Sequence, residues 1–163
     1  MELNLKNKRA LISGGTHGIG KAIATQLAQE GCLVAVFSRT RERVDSMTQH
    51  LNTVSKSGNF IAMQGDVLDE ESFLRVEEKI RDNWGAVDIV INNIGGGGRW
   101  GQEDILKTDS EVWTQVYDKN LTAALKFTKA FLPDMKKESW GRVVTITSIY
   151  AREVGGRPWF NIA

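Results

Sequence analysis

The 163-residue chain has one cysteine, two prolines and no excess of either charge, with 21 Lys and Arg against 20 Asp and Glu. Each shortage removes a class of protein. A single thiol, Cys32, permits no disulfide within the chain, and its apolar surroundings in sequence make it a core residue rather than a nucleophile or metal ligand. A formal net charge of +1 without long blocks of one sign lacks the footprint of a dedicated nucleic-acid binder. Apolar stretches such as Cys32 to Phe37 fall far short of the ~20 residues a membrane-spanning helix needs, and Met1-Glu2-Leu3-Asn4 does not open a secretory signal. No repeat or low-complexity linker interrupts the chain. With 41% hydrophobic residues there is material for one core and little for a second, so a single soluble, cytoplasmic domain over residues 1–163 is expected.

What is present alternates between two periodicities. Ala10 to Ser13, Leu33 to Phe37, Phe60 to Met63, Val87 to Asn92 and Arg142 to Thr147 are short apolar or β-branched runs, as strands buried on both faces require. Between them, Ile19 to Glu30, Arg41 to Asn52, Glu70 to Asn83 and Glu111 to Lys137 carry helical spacing, the last long enough for two consecutive helices. The βαβαβαβαβ order predicts an α/β fold, a doubly wound, Rossmann-type parallel sheet of five strands covered on both faces. Gly31 stands where a left-handed residue ends the first helix. Thr108-Asp109-Ser110-Glu111 has capping-box spacing, and Pro133 is expected to kink or end the last helix. The tail from Ala151 to Ala163 reads as a loop.

The chemistry begins at Ser13-Gly14-Gly15-Thr16-His17-Gly18-Ile19-Gly20, between the first strand and the first helix. A dinucleotide fold puts its pyrophosphate there, because glycines permit a tight turn and close approach while free N–H groups at the helix start attract an anion. Gly14, Thr16, His17, Gly18, Ile19 and Gly20 are therefore candidate cofactor residues. The second strand ends in Ser38-Arg39, 19 residues after Gly20, where such a fold meets the adenosine ribose. An acidic residue there would bind the ribose hydroxyls and repel a phosphate. Arg39 instead offers a fork of donors to a 2′-phosphate, which favours NADP over NAD without excluding NAD.

The glycine spacing, Gly-x-x-x-Gly-x-Gly, resembles that of the classical short-chain dehydrogenase/reductase family, with Ser13 in place of the usual threonine. Other stretches carry the resemblance along nearly the whole chain. His17 falls where NADP-using members often hold a basic residue. Gly65-Asp66-Val67 matches the family's adenine contact, although Asp66 alone would also suit a helix cap. Ile91-Asn92-Asn93-Ile94-Gly95 resembles Asn-Asn-Ala-Gly, placing Asn93 and Gly95 beside the cofactor, with Ile94 narrowing the pocket and the Gly95 to Gly98 run at its mouth. Trp100 and Trp159 are candidates for the pocket border. Asn120 matches the helix asparagine that holds a local kink and a water in the proton relay, and Ser148, ending the fifth strand, matches the serine that bonds the substrate oxygen; helix-cap and turn roles are the alternatives.

The resemblance breaks at the end of the chain. The family's Tyr-x-x-x-Lys element is due about a dozen residues after the serine, and the register puts Phe160 at the tyrosine position with no lysine following. Phenylalanine has no proton to give, and loss of a positioned general acid costs ~100 to 10,000-fold in rate. Tyr150 is a weaker substitute, with no lysine near it in sequence. The resemblance implies a domain that continues about half as long again, with its C-terminal part missing here. It also implies an NADP-dependent enzyme that interconverts a small-molecule carbonyl and a secondary alcohol, of the 3-oxoacyl-carrier-protein reductase or sugar and polyol dehydrogenase kind. Such an enzyme assembles as a homo-oligomer, dimer or tetramer, through its long helices. The alternative is a catalytically inactive nucleotide-binding or scaffold member. An extended-type epimerase is disfavoured because His17 interrupts its Gly-x-x-Gly-x-x-Gly spacing.

Overall fold

The computed structural model describes residues 3–96 and 105–149. Five strands, β1 (Arg9–Ser13), β2 (Leu33–Ser38), β3 (Phe60–Gln64), β4 (Ile89–Asn92) and β5 (Arg142–Thr145), form one parallel sheet in the order β3-β2-β1-β4-β5. They are joined by α1 (Gly18–Gln29), α2 (Arg41–Val54), α3 (Glu70–Trp84), α4 (Ser110–Tyr117) and α5 (Ala123–Lys137). The expected doubly wound sheet is therefore present, with element bounds near those read from the sequence. Gly31, at φ 85°, takes the left-handed conformation after α1 and donates to the carbonyl of Ala28.

Alternate residues along each strand enter different cores. Ala10, Ile12, Val34, Val36, Ile89 and Ile91 pack with Ala24 and Ala28 of α1 and with Met47 and Leu51 of α2. Leu11, Ala35, Phe37, Ile61 and Val90 pack on the other face against Phe73, Val76 and Ile80 of α3 and Phe127, Phe131 and Met135 of α5. Phe127 joins helix to sheet on that side, with ring centroids 5.2 Å from Phe37 and 4.9 Å from Phe73. Each such side chain contributes about 1.5–3 kcal/mol by leaving water, which explains why the central strands read as continuous apolar runs.

Several local expectations are corrected. β5 is not buried on both faces: Val143 and Val144 are 41% and 45% exposed, because β5 is the outermost strand of the described sheet and pairs only with β4. The N-cap does not fall at Thr108, where the capping-box spacing would put it. The helix starts one residue later with Asp109 at the N-cap, and that side chain makes no capping bond. Pro133 does not end α5, which runs through to Lys137. The missing N–H of a proline weakens the preceding turn, but Arg81 of α3 braces it from outside, donating to the Ala130 carbonyl at 2.7 Å and to Asp134 at 3.1 Å. Asp66 does not cap α3; Asp69 does, accepting from the Ser72 N–H at 3.2 Å. Between α4 and α5 the chain passes through a π-helical turn, Asp118–Thr122, so the two helices expected from Glu111 to Lys137 are joined by a widened turn rather than a loop.

Candidate nucleotide cleft

The strand order reverses between β1 and β4, and a parallel sheet opens a crevice beyond its carboxyl ends at such a point. A cleft of about 740 Å³ lies there, within the range usual for small-molecule sites. Gly14, His17, Gly18 and Ile19 line it after β1; Ser38, Arg39, Thr40 and Arg43 after β2; Asp66, Val67 and Leu68 after β3; and Asn93, Ile94, Gly95 and Gly96 after β4. Nine of the predicted cofactor residues thus meet in one place. Thr16 and Gly20 do not line it.

Their positions explain this. Thr16 is 6% exposed, with a buried hydroxyl that has no hydrogen-bond partner among the described residues. Gly20 sits behind the turn, where a Cβ would fall 2.3 Å from the Gly14 carbonyl oxygen and 2.5 Å from the Asn93 amide nitrogen. No side chain fits at such distances, so Gly20 serves close packing of α1 on the turn rather than contact with a ligand. Gly14 and Gly18 hold positive φ, 65° and 54°.

Ser13 ties the two halves of the cleft together. Its hydroxyl donates to the Ile91 carbonyl at 3.3 Å and accepts from the N–H groups of Asn93 at 3.0 Å and Ile94 at 3.3 Å. The Asn93 amide donates back to the carbonyls of Ser13 and Gly14, each at 3.2 Å. Asn93 therefore acts as a brace between β1 and β4 as well as a wall residue. Asp66 closes a local turn by accepting from the Leu68 N–H at 3.0 Å, and its own N–H donates to the Ser72 hydroxyl at 2.7 Å. Those two bonds fix the wall that Val67 and Leu68 present.

Asn120 lies in the π-helical turn, not at a helix cap. Its side-chain amide donates to the Val116 carbonyl at 2.7 Å, and its oxygen accepts from the Gly96 N–H, also at 2.7 Å. One side chain thus takes a carbonyl of α4 beside the widened turn and anchors the end of the β4 segment. Ser148 is half-buried beyond β5, which ends at Thr145 rather than at the serine. Trp100, Tyr150, Trp159 and Phe160 lie outside the described residues.

The cleft also holds two cations that the sequence did not single out, Arg43 and Lys119. Arg43 had no clear signal, since its direction is set only by where α2 begins. Lys119 had none, since only the π-helical turn brings it to the cleft.

The chain matches the family described as short chain dehydrogenase over residues 8–159. It belongs to the short-chain dehydrogenase family. Among the relatives of this chain, the uncharacterized oxidoreductase YvrD of Bacillus subtilis is 34% identical over 158 residues, covering 97% of this chain and 56% of that protein. Dehydrogenase/reductase SDR family member 4 of Bos taurus is 36% identical over 149 residues, covering 90% of this chain and 51% of that protein. The crystal structure of L-sorbose reductase from Gluconobacter frateurii, complexed with NADPH and L-sorbose, superposes with a TM-score of 0.89 at 27% identity, covering 99% of this chain and 60% of that one. The chain thus spans little more than half the length of the curated relatives it matches. Among the described residues, no helix is long and apolar enough to cross a membrane.

Proposed function

We propose that the protein is an NADP(H)-dependent oxidoreductase that interconverts a carbonyl and a secondary alcohol, residues 1–163 being its dinucleotide-binding part. The observation that carries this is the single cleft at the switch point, where the turn after β1, Arg39, Asp66-Val67 and Asn93 to Gly96 converge. The volume suits a dinucleotide, the tight turn before α1 suits a pyrophosphate, and Arg39 with Arg43 suits a 2′-phosphate. Neither guanidinium has a carboxylate partner among the described residues. The NADPH complex of the sorbose reductase supports the same preference, with NAD as the lesser alternative. His17 adds a basic group beside the turn.

When bound, the nicotinamide supplies or accepts the hydride. This chain's own residues then have separate tasks. Asp66 and Val67 border the adenine, Asn93 and Gly95 form the wall, Asn120 holds that wall and the relay, and Ser148 polarises the substrate oxygen. The reading further makes the protein a cytoplasmic homo-oligomer, dimer or tetramer; the exposure of Tyr117, Leu121, Leu125 and Leu132, from α4 through the π-helical turn into α5, supports the oligomer.

Phe160 at the proton-donor position favours a second reading, a nucleotide-binding member without turnover. The two separate in one experiment on the complete protein. NADPH fluorescence should rise on binding, and a panel of ketones, 3-oxoacyl thioesters and sugars should then drive its oxidation. Binding without oxidation, followed by activity in Phe160→Tyr, supports the second reading; absence of any nucleotide binding removes both.

A further inference from the structure

Lys119 stands apart from the other cations of the cleft. His17 belongs to the turn after β1, and Arg39 and Arg43 to the exit from β2, whereas Lys119 reaches the cleft from the β4 side. Its ammonium donates to the Gly96 carbonyl oxygen at 3.0 Å, and the next residue, Asn120, accepts from the Gly96 N–H at 2.7 Å. Two successive side chains of the π-helical turn therefore grip the N–H and the carbonyl of one residue. Gly96 has φ 102°, a conformation open to glycine but rarely to L side chains, and the two bonds select it from the many that glycine can take.

The grip also places charge. Asp66 is the one carboxylate among the described residues lining the cleft, against Arg39, Arg43 and Lys119, with His17 beside them. Low-dielectric walls focus such an excess onto an anion entering the cleft. Among the described residues on the β4 side, Lys119 is the cation that lines the cleft.

We infer that Lys119 is a positioning residue of the nucleotide cleft, which holds the β4-side wall at Gly96 and lends that wall its positive charge. The inference rests on the nucleotide-binding reading above and adds a residue that acts on the whole dinucleotide rather than on its 2′-phosphate. Loss of Lys119 therefore weakens NADPH and NADH alike, whereas loss of Arg39 weakens NADPH selectively.

The test uses the complete protein with Lys119→Met, Lys119→Arg and Arg39→Ala. Fluorescence titrations with NADPH and with NADH are run at low and high salt, and melting of the nucleotide-free proteins is followed in parallel. Lys119→Met should raise both dissociation constants by the same factor, about fivefold at low salt, as expected for one partly solvated charge. The factor should shrink at high salt. Lys119→Arg should restore most of the affinity, and nucleotide-free melting should stay near that of the parent. Unchanged affinity in Lys119→Met overturns the inference, as does a loss confined to NADPH or one that merely follows a lowered melting temperature. Failure of the parent protein to bind either coenzyme would instead overturn the nucleotide-binding reading itself.

Discussion

Arg39, Arg41 and Arg43 lie within one turn of chain yet meet different surroundings. Arg41 bridges to Asp45 at 3.0 Å on the exposed side of α2, an arrangement worth about 0.3–0.5 kcal/mol. Arg39 and Arg43 line the cleft instead. Replacing either by alanine should weaken NADPH about tenfold, the loss expected for a charge-assisted bond at a partly solvated site, with little change for NADH. Arg41→Ala should change neither, and equal losses for both coenzymes in Arg39→Ala would refute the 2′-phosphate assignment. Arg39 was legible in the sequence because it directly follows a strand. Arg43 was not, because its direction depends on where α2 begins. The same dependence misassigned the cap of α3, since Asp66 and Asp69 offer the same side chain and only the start of the helix selects one. Cys32 was read correctly as a core thiol. Burial raises its pKa to about 11, with the charges of Glu30 and Asp88 adding to the effect, and the sulfur donates to the Leu5 carbonyl. Iodoacetamide at pH 8 should therefore label Cys32 at least about a hundredfold more slowly in the folded protein than in urea, since only the thiolate reacts; comparable rates would show the thiol to be accessible and ordinary.

At the scale of elements, the central strands were legible because parallel strands covered on both faces must be apolar throughout, and Val34, Ala35, Val36 and Phe37 are all nearly inaccessible. The same local composition at Arg142–Thr145 misled, since a β-branched run does not reveal whether a neighbour lies on both sides. The π-helical turn was foreshadowed only through the resemblance that assigned Asn120 a kink; no periodicity distinguishes residues 118–122 from continuing helix. Such turns cost stability and recur at functional sites. Here the cost is met by Asn120, whose amide takes the Val116 carbonyl while its oxygen takes the Gly96 N–H. Asn120→Ala removes both bonds, which should destabilise the protein by about 1–3 kcal/mol. Thermal or urea unfolding checks the magnitude. Asn120→Asp retains the acceptor but loses the donor, so it should recover only the Gly96 contact. An Asn120→Ala protein as stable as its parent would mean that the turn is held by packing rather than by this side chain.

For the molecule as a whole, the two ends of the sheet have opposite characters. The carboxyl ends of the strands open into a cationic cleft, while the amino ends are tied together by an ion pair between residues 79 positions apart. Arg9 donates to Asp88 from its backbone N–H at 2.8 Å, from Nε at 2.8 Å and from Nη2 at 2.9 Å, with Nη1 on the Trp84 carbonyl at 3.2 Å. The Asp88 backbone carries the link onward, donating to the Arg9 carbonyl and accepting from the Arg142 N–H. One residue thus links the starts of β1, β4 and β5, its carboxylate holding Arg9 and its backbone carbonyl holding Arg142, and so supports the register that brings their far ends together at the cleft. Burial by itself pushes the Asp88 carboxyl up, but the side-chain and backbone hydrogen bonds from Arg9 and the charges of Arg9 and Lys8 outweigh it and hold the pKa below the ordinary value. A carboxyl whose pKa is depressed on folding stabilises the native state fully above its unfolded value, about 3.9, and loses that contribution as pH falls through the folded value. Asp88→Asn should therefore be less stable than the parent by about 2–4 kcal/mol at pH 6, because Arg9 keeps its charge without its partner. The gap should narrow progressively below about pH 4 as the parent's own carboxyl protonates. Urea melts of the two proteins from pH 6 down to the lowest pH at which the parent folds give the difference directly. A gap that stays constant across that range would mean that Asp88 acts through shape and neutral hydrogen bonds, and that the amino end of the sheet does not depend on its charge.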